Sequence, residues 1–311
     1  MSRKASPVVT DLESLLMGLK RLVMGAAIFA AMNTAAEANQ CEPQWRAEFD
    51  EPLNTELWHY VEGDGCALNL CGWGNGEQQT YDAQQVVVRD GRLQITAQQD
   101  AEGIIHSGKI TTEGKFVTRF GRIEARVKVP AGRGTWPAFW MMPESADKPW
   151  PNEGEIDILE WTGNHPHRVI GAVHFGDVWP DNVHYSETLL TPTNWSEGFH
   201  TYGVLWEPGA VHWYVDGRIH GTANADHIAP WRWVFDDSDF HLIVNLAIGG
   251  TLGGDVSPED LPVTMEVDWI RIYDHSCHEG LSATPSIELT DAGETDPAGA
   301  GASKETLVAN D

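Results

Sequence analysis

Beyond residue 40 the apolar residues of this chain recur two positions apart far more often than three or four apart. Arg122-Ile123-Glu124-Ala125-Arg126-Val127-Lys128-Val129 has an apolar side chain at every second position, the pattern of a strand with one face buried. Val86–Arg89 and Leu93–Ala97 flank Asp90-Gly91, and Val211–Val215 and Arg218–Gly221 flank Asp216-Gly217. Each Asp-Gly pair predicts a tight hairpin turn. Further strands are predicted at Phe139–Met142, Glu155–Trp161, Val169–Phe175, Thr201–Trp206, Phe240–Leu246 and Met265–Tyr273. Many short strands, Gly/Pro-rich turns and no interleaved helices predict an all-β sandwich of antiparallel sheets. One domain over residues 39–279 accounts for them.

The two ends break this pattern. Lys20 and Arg21 precede an apolar stretch, Leu22–Met32, too short to span a bilayer, and Ala36-Glu37-Ala38 offers a small-x-small cleavage site. Residues 1–38 are therefore expected to be an export signal, and a membrane anchor is the rival reading. Asp11 and Glu13 are foreign to such a signal, which makes Met17 a second candidate initiator. Export implies a secreted, extracellular or periplasmic protein that leaves no membrane contact after cleavage. From Leu281 onward aromatic residues vanish and Ala, Thr, Ser, Gly and acids dominate, so residues 280–311 are expected to form a disordered acidic tail. In an oxidising compartment the four cysteines should pair. Of the three possible pairings, Cys66–Cys71 with Cys41–Cys277 is the expected one.

Charge narrows the partners. With 20 Lys+Arg against 46 Asp+Glu the net charge is -26, and such a surface repels nucleic acid. The chain also carries 14 Trp, more than a core of this size usually needs. Indole faces left at a surface suit an uncharged ring such as a sugar.

The candidate chemistry lies in Glu153-Gly154-Glu155-Ile156-Asp157-Ile158-Leu159-Glu160-Trp161. On a helix the acids at 155, 157 and 160 would scatter. On a regular strand 155 and 157 share a face, while 160 points the other way. One bulge between them restores Glu160 to the face of Glu155, and bulges are enriched beside active sites. Two carboxyl groups on one face suit glycoside hydrolysis: about 5–5.5 Å apart for a retaining enzyme, about 6.5–9.5 Å for an inverting one. Crowded like charges also raise at least one pKa, so that one group keeps a proton while another is ionised.

With these residues in view, the sequence resembles the laminarinase-type members of glycoside hydrolase family 16, whose signature is Glu-x-Asp-x-(x)-Glu; Glu155–Glu160 matches the longer, bulged form. Trp73–Glu77, Phe120–Arg126, Gly134–Met141, Val173–Phe175, Asn245–Gly250 and Val267–Tyr273 match as well. The resemblance implies a β-jelly-roll of two curved sheets with an open concave cleft. It implies Glu155 as nucleophile, Asp157 as its assistant and Glu160 as acid/base. It further implies Asn75, Trp136, Trp140, His174 and Asn245 as substrate-binding residues; Trp161 either lines the cleft, as a weaker candidate, or plugs the core. No cofactor is implied for catalysis; a structural calcium ion is, at positions matching Glu48, the Gly91 carbonyl and Asp268. The implied activity is that of a monomeric endo-glucanase on β-1,3-glucan of the laminarin type, with mixed β-1,3/1,4 linkages admitted. The rival readings are an agarase or carrageenase of the same family, and a non-catalytic β-glucan-binding lectin on the same fold. Sulfated carrageenan favours basic subsites, which this acidic chain is less suited to supply, and the intact acids argue against a lectin.

Overall fold

The computed structural model describes residues 41–144 and 148–283, and the backbone of 302–307. The described residues form nineteen strands. In chain order these begin with β1 (Trp45–Ala47), β2 (His59–Tyr60), β3 (Gln79–Tyr81), β4 (Val86–Arg89), β5 (Arg92–Gln99), β6 (Ile105–Ser107) and β7 (Lys109–Thr111). The middle of the chain supplies β8 (Gly121–Lys128), β9 (Thr135–Pro143), β10 (Glu155–Glu160), β11 (Arg168–Gly176) and β12 (Asn182–Leu190). Then come β13 (His200–Glu207), β14 (Ala210–Val215), β15 (Arg218–Asn224), β16 (Phe240–Ile248), β17 (Val263–Tyr273), β18 (Ser282–Ala283) and β19 (Ala302–Leu307).

Eleven strands form one sheet, in the order β18-β15-β14-β13-β8-β17-β5-β6-β3, with β1 on β17 and β4 on β5. Eight form the other, in the order β19-β12-β11-β10-β9-β16-β7-β2. The two sheets enclose one apolar core: the sandwich that the pattern predicts, in the β-jelly-roll form that the resemblance implies. Strand β8 illustrates how: Ile123, Ala125 and Val127 are buried while Arg122, Arg126 and Lys128 reach outward. Both Asp-Gly hairpins form, with positive φ at Asp90, Gly91, Asp216 and Gly217, the backbone that type I′ turns require.

Two short segments of the expected tail are paired with sheet edges. Ser282–Ala283 pairs in parallel with β15, and Ala302–Leu307 pairs in parallel with β12. A sheet edge presents unpaired N–H and C=O groups that accept an extended segment whatever its side chains, which a composition argument does not register. The expected export signal and the rest of the tail lie outside the described residues. Cys66 and Cys71 are bonded to each other, Cys41 and Cys277 are also disulfide-bonded, and among the described residues no cysteine is free.

Candidate active site

Strand β10 lies in the middle of the eight-stranded sheet, between β9 and β11. Against β11, Asp157 faces Ala172 and Glu160 faces Ile170, so three steps on β10 match two on its partner. Against β9, Asp157 faces Trp140 and Leu159 faces Phe139, which places the same extra residue in the same spot. Ile156, Ile158, Leu159 and Trp161 all enter the core, whereas Glu155 and Glu160 are only partly buried. The bulge thus sends two consecutive side chains, Ile158 and Leu159, inward and returns Glu160 to the face of Glu155. It is braced from the other sheet, where the buried Trp213 Nε1 donates to the Asp157 carbonyl at 2.7 Å. Gly171 makes room for that indole, since a Cβ there would lie 2.2 Å from the ring.

The cleft on this face is lined by Asn75, Glu77, Trp136, Trp140, Asn245 and the three acids, with Ala138 and Ala247 as its small-residue floor. Each acid has a defined neighbour. Glu155 pairs across the strand with His174 and accepts from Trp150 Nε1 at 2.6 Å. His174 Nε2 lies 3.3 Å from Asp157 Oδ2, an ion-pair contact. Glu160 accepts from Trp136 Nε1 at 3.0 Å. Trp140 Nε1 donates to Asn245 at 2.7 Å, and Asn245 donates to the Tyr81 hydroxyl at 3.1 Å. Tyr81 in turn donates to Glu77, which also receives Gln79 and Asn75. Behind these rings Lys109 Nζ sits 4.5 Å from the Trp73 ring centre and 4.9 Å from that of Trp140, within cation–π range.

This environment separates the protonation states. Burial, and after it the charge of Asp157, pushes Glu160 up to about 8, with His174 and the Trp136 N–H pulling it down. Burial and the Glu155 charge likewise raise Asp157, against the opposing pull of His174. Burial alone would lower His174, but the charges of Glu155, Asp157 and Glu160 outweigh it and bring it up to about 9. Near neutral pH the site therefore holds a proton on Glu160 and a positive imidazole beside Asp157.

Two expectations need correction. Trp161 is 1% exposed and packs in the core, because it follows Glu160 directly and adjacent strand residues face opposite ways. Of the three positions expected to hold calcium, the two carboxylates are already paired. Glu48 takes both donors of Arg271 at 2.9 Å, and Asp268 accepts from Arg126 at 2.5 Å. Both carboxylates are committed to guanidinium groups, which an ion would have to displace. Among the described residues the grouping able to gather around a cation is Glu155, Asp157 and His174, whose ligand atoms lie within 4.8 Å of one another. A His pushed up to about 9 is a poor ligand at neutral pH.

The site also uses residues that no local pattern in the sequence marks. Trp150 lies in a loop without periodicity, and Trp213 reaches β10 from the other sheet, so neither advertised itself. Glu77 stood in the matched Trp73–Glu77 stretch, whose clustering of polar residues was the available signal.

The comparisons with known proteins agree with this geometry. The model of the glycosyl hydrolases family 16 matches residues 74–271. A glucan endo-1,3-beta-glucosidase A1 from Niallia circulans is 37% identical over 260 residues, covering 74% of this chain but 37% of that protein's length. A beta-glucanase from Rhodothermus marinus is 34% identical over 291 residues, covering 83% of this chain and 97% of its own. The laminarinase catalytic domain of Thermotoga maritima superposes with a TM-score of 0.69 at 35% identity, over 75% of this chain and 98% of that one. With a jelly-roll whose central bulged strand carries the three acids, and with relatives matched over most of its length, the chain belongs to glycosyl hydrolases family 16 and is a glycoside hydrolase.

Proposed function

We propose that the protein is a secreted, retaining endo-β-1,3-glucanase acting on laminarin-type polysaccharide as a monomer, with mixed β-1,3/1,4 linkages admitted. The observation that carries this reading is the kink in β10, which puts Glu155 and Glu160 in one cleft with Asp157 between them. The names and activities of the relatives point the same way, and the disulfides suit an exported protein.

In the first step the Glu155 carboxylate attacks the anomeric carbon while Glu160 gives its proton to the departing glycosidic oxygen. The glycosidic bond breaks as a glycosyl ester forms on Glu155. In the second step Glu160, now a carboxylate, takes a proton from water. The water oxygen displaces Glu155 and restores the original configuration. Asp157, tied to His174, orients Glu155 and adjusts its charge; Trp136 and Trp150 hold the two catalytic carboxyls by their N–H groups. The half-buried Trp136 and Trp140 offer ring faces to pyranose units, and Asn75 and Asn245 offer directional hydrogen bonds to hydroxyls.

Proton NMR of products released early from laminarin tests the reading. The β-anomer should appear first, and Glu155→Gln should abolish turnover while leaving binding in place. Early appearance of the α-anomer, or turnover surviving in that variant, would end the assignment.

A further inference from the structure

Three segments meet around Gly176, at the end of β11 beyond His174. Asn152, from the loop that carries Trp150, donates its side-chain amide to the Gly176 carbonyl at 2.5 Å. The Trp231 ring lies against the same glycine, where a Cβ would stand 3.4 Å from Cε3. Gly176 then opens the hairpin to β12, whose turn is closed by Asp181 N donating to the Val178 carbonyl at 2.9 Å. Trp179 stands in that turn. It is three residues from Gly176, hence at most about 11 Å away along the chain.

These elements bear the exposed tryptophans of the described residues: Trp179 at 76%, Trp150 at 38% and Trp231 at 36%, with Val178 at 43%. Exposed indoles grouped together and rimmed by polar residues mark a surface that binds something flat and apolar. At Trp150 this group of residues adjoins the cleft, because Trp150 both bonds Glu155 and lies 5.8 Å from the His174 ring. Exposed Asp177 and Asp181 flank Trp179 within the turn. That rim disfavours a sulfated or phosphorylated polymer and suits an uncharged, hydroxyl-rich one.

We propose that Trp179, with Trp231 beside Gly176, forms an outer platform on which the neutral β-glucan chain lies after it leaves the cleft past Trp150 and His174. The platform rests on the glucanase reading and adds to it a preference for long chains. Each ring face offers an apolar surface to one sugar, while the acid rim accepts hydrogen bonds from hydroxyls.

The test compares KM for long laminarin chains with KM for a short β-1,3-gluco-oligosaccharide in wild type, Trp179→Ala and Trp179→Phe. Trp179→Ala should raise the ratio of long-chain to short-chain KM about threefold to tenfold, the factor expected for one lost aromatic contact. Trp179→Phe should recover most of it. An unchanged ratio, or equal losses on both substrates, overturns the platform. So does sedimentation showing a wild-type dimer that Trp179→Ala dissolves, since the patch would then cover a second copy. Wild-type enzyme that cleaves no β-glucan would sink the function itself, whereas cleavage with an unaltered ratio sinks only the platform.

Discussion

The outward faces of the two sheets carry acids under opposite conditions. On and beside the eleven-stranded sheet three are matched by cations: Glu48 by Arg271, Asp268 by Arg126, and Glu266 by Arg92 and Lys128. In the cleft of the eight-stranded sheet, among the described residues, no guanidinium or ammonium lies within ion-pair distance of Glu155, Asp157 or Glu160. Their partners are an imidazole and two indole N–H groups. The consequence is visible in the protons. Glu160 and Asp157 are raised by burial and mutual charge, whereas the outer acids are held in surface pairs. The same side chain is structural where arginine neutralises it and reactive where burial leaves it wanting a proton.

The largest expected effect breaks the reactive half of this comparison. Glu160→Gln removes the acid and should lower kcat by about 10²–10⁴-fold on laminarin. It should also abolish the alkaline limb: the wild type needs Glu160 protonated, so its activity should fall as pH rises through about 8. Stability should move the other way. The folded pKa of about 8 lies above the ordinary value of 4.5, so the protein's hold on that proton stabilises it fully below 4.5 and is lost as pH climbs through 8. Glutamine has nothing to lose, and the variant should gain stability relative to wild type across that window. Thermal melts at pH 5, 7 and 9 would check the sign.

A smaller effect sharpens the picture by removing the weak partners. His174 and the Trp136 N–H both pull the Glu160 pKa down, His174 the more strongly. His174→Gln should therefore move the alkaline limb upward, and Trp136→Phe should move it upward by less, up to about one pH unit for a lost hydrogen bond. A downward shift in either pH profile would mean that the charges around Glu160 are wrongly assigned.

How much of this was legible in the sequence depends on whether the signal was local. Period-two runs and two Asp-Gly pairs foretold the sandwich and its hairpins, because strand parity and turn chemistry act over a few residues. The bulge was legible for the same reason: acids at 155, 157 and 160 cannot share a strand face without one extra residue. Of the two places open to Trp161, the same parity argument selects the core. Trp213 and Trp150 could not be found this way, since one crosses the core and the other comes from an irregular loop. The arginine partners of Glu48 and Asp268 were equally hidden. Arg271 lies 223 residues from Glu48 along the chain, and Arg126 lies 142 from Asp268.

Those partners yield the smallest expected effect, on the structural half of the comparison. Arg271→Gln breaks a pair whose members are about a third exposed, so the loss should be about 1 kcal/mol or less, with the alkaline limb unmoved. The same pairing bears on calcium. With Glu48 and Asp268 committed to arginines, melts with chelator and with excess calcium should coincide. An ion bound only by the folded state at a hundred times its Kd would add about 2.7 kcal/mol, and an upward shift of that size could not be missed. Such a shift in wild type, enlarged in Arg271→Gln where Glu48 is released, would mean that the carboxylates prefer the ion to the guanidinium. The outer face would then also hold acids that want a cation the fold does not itself supply.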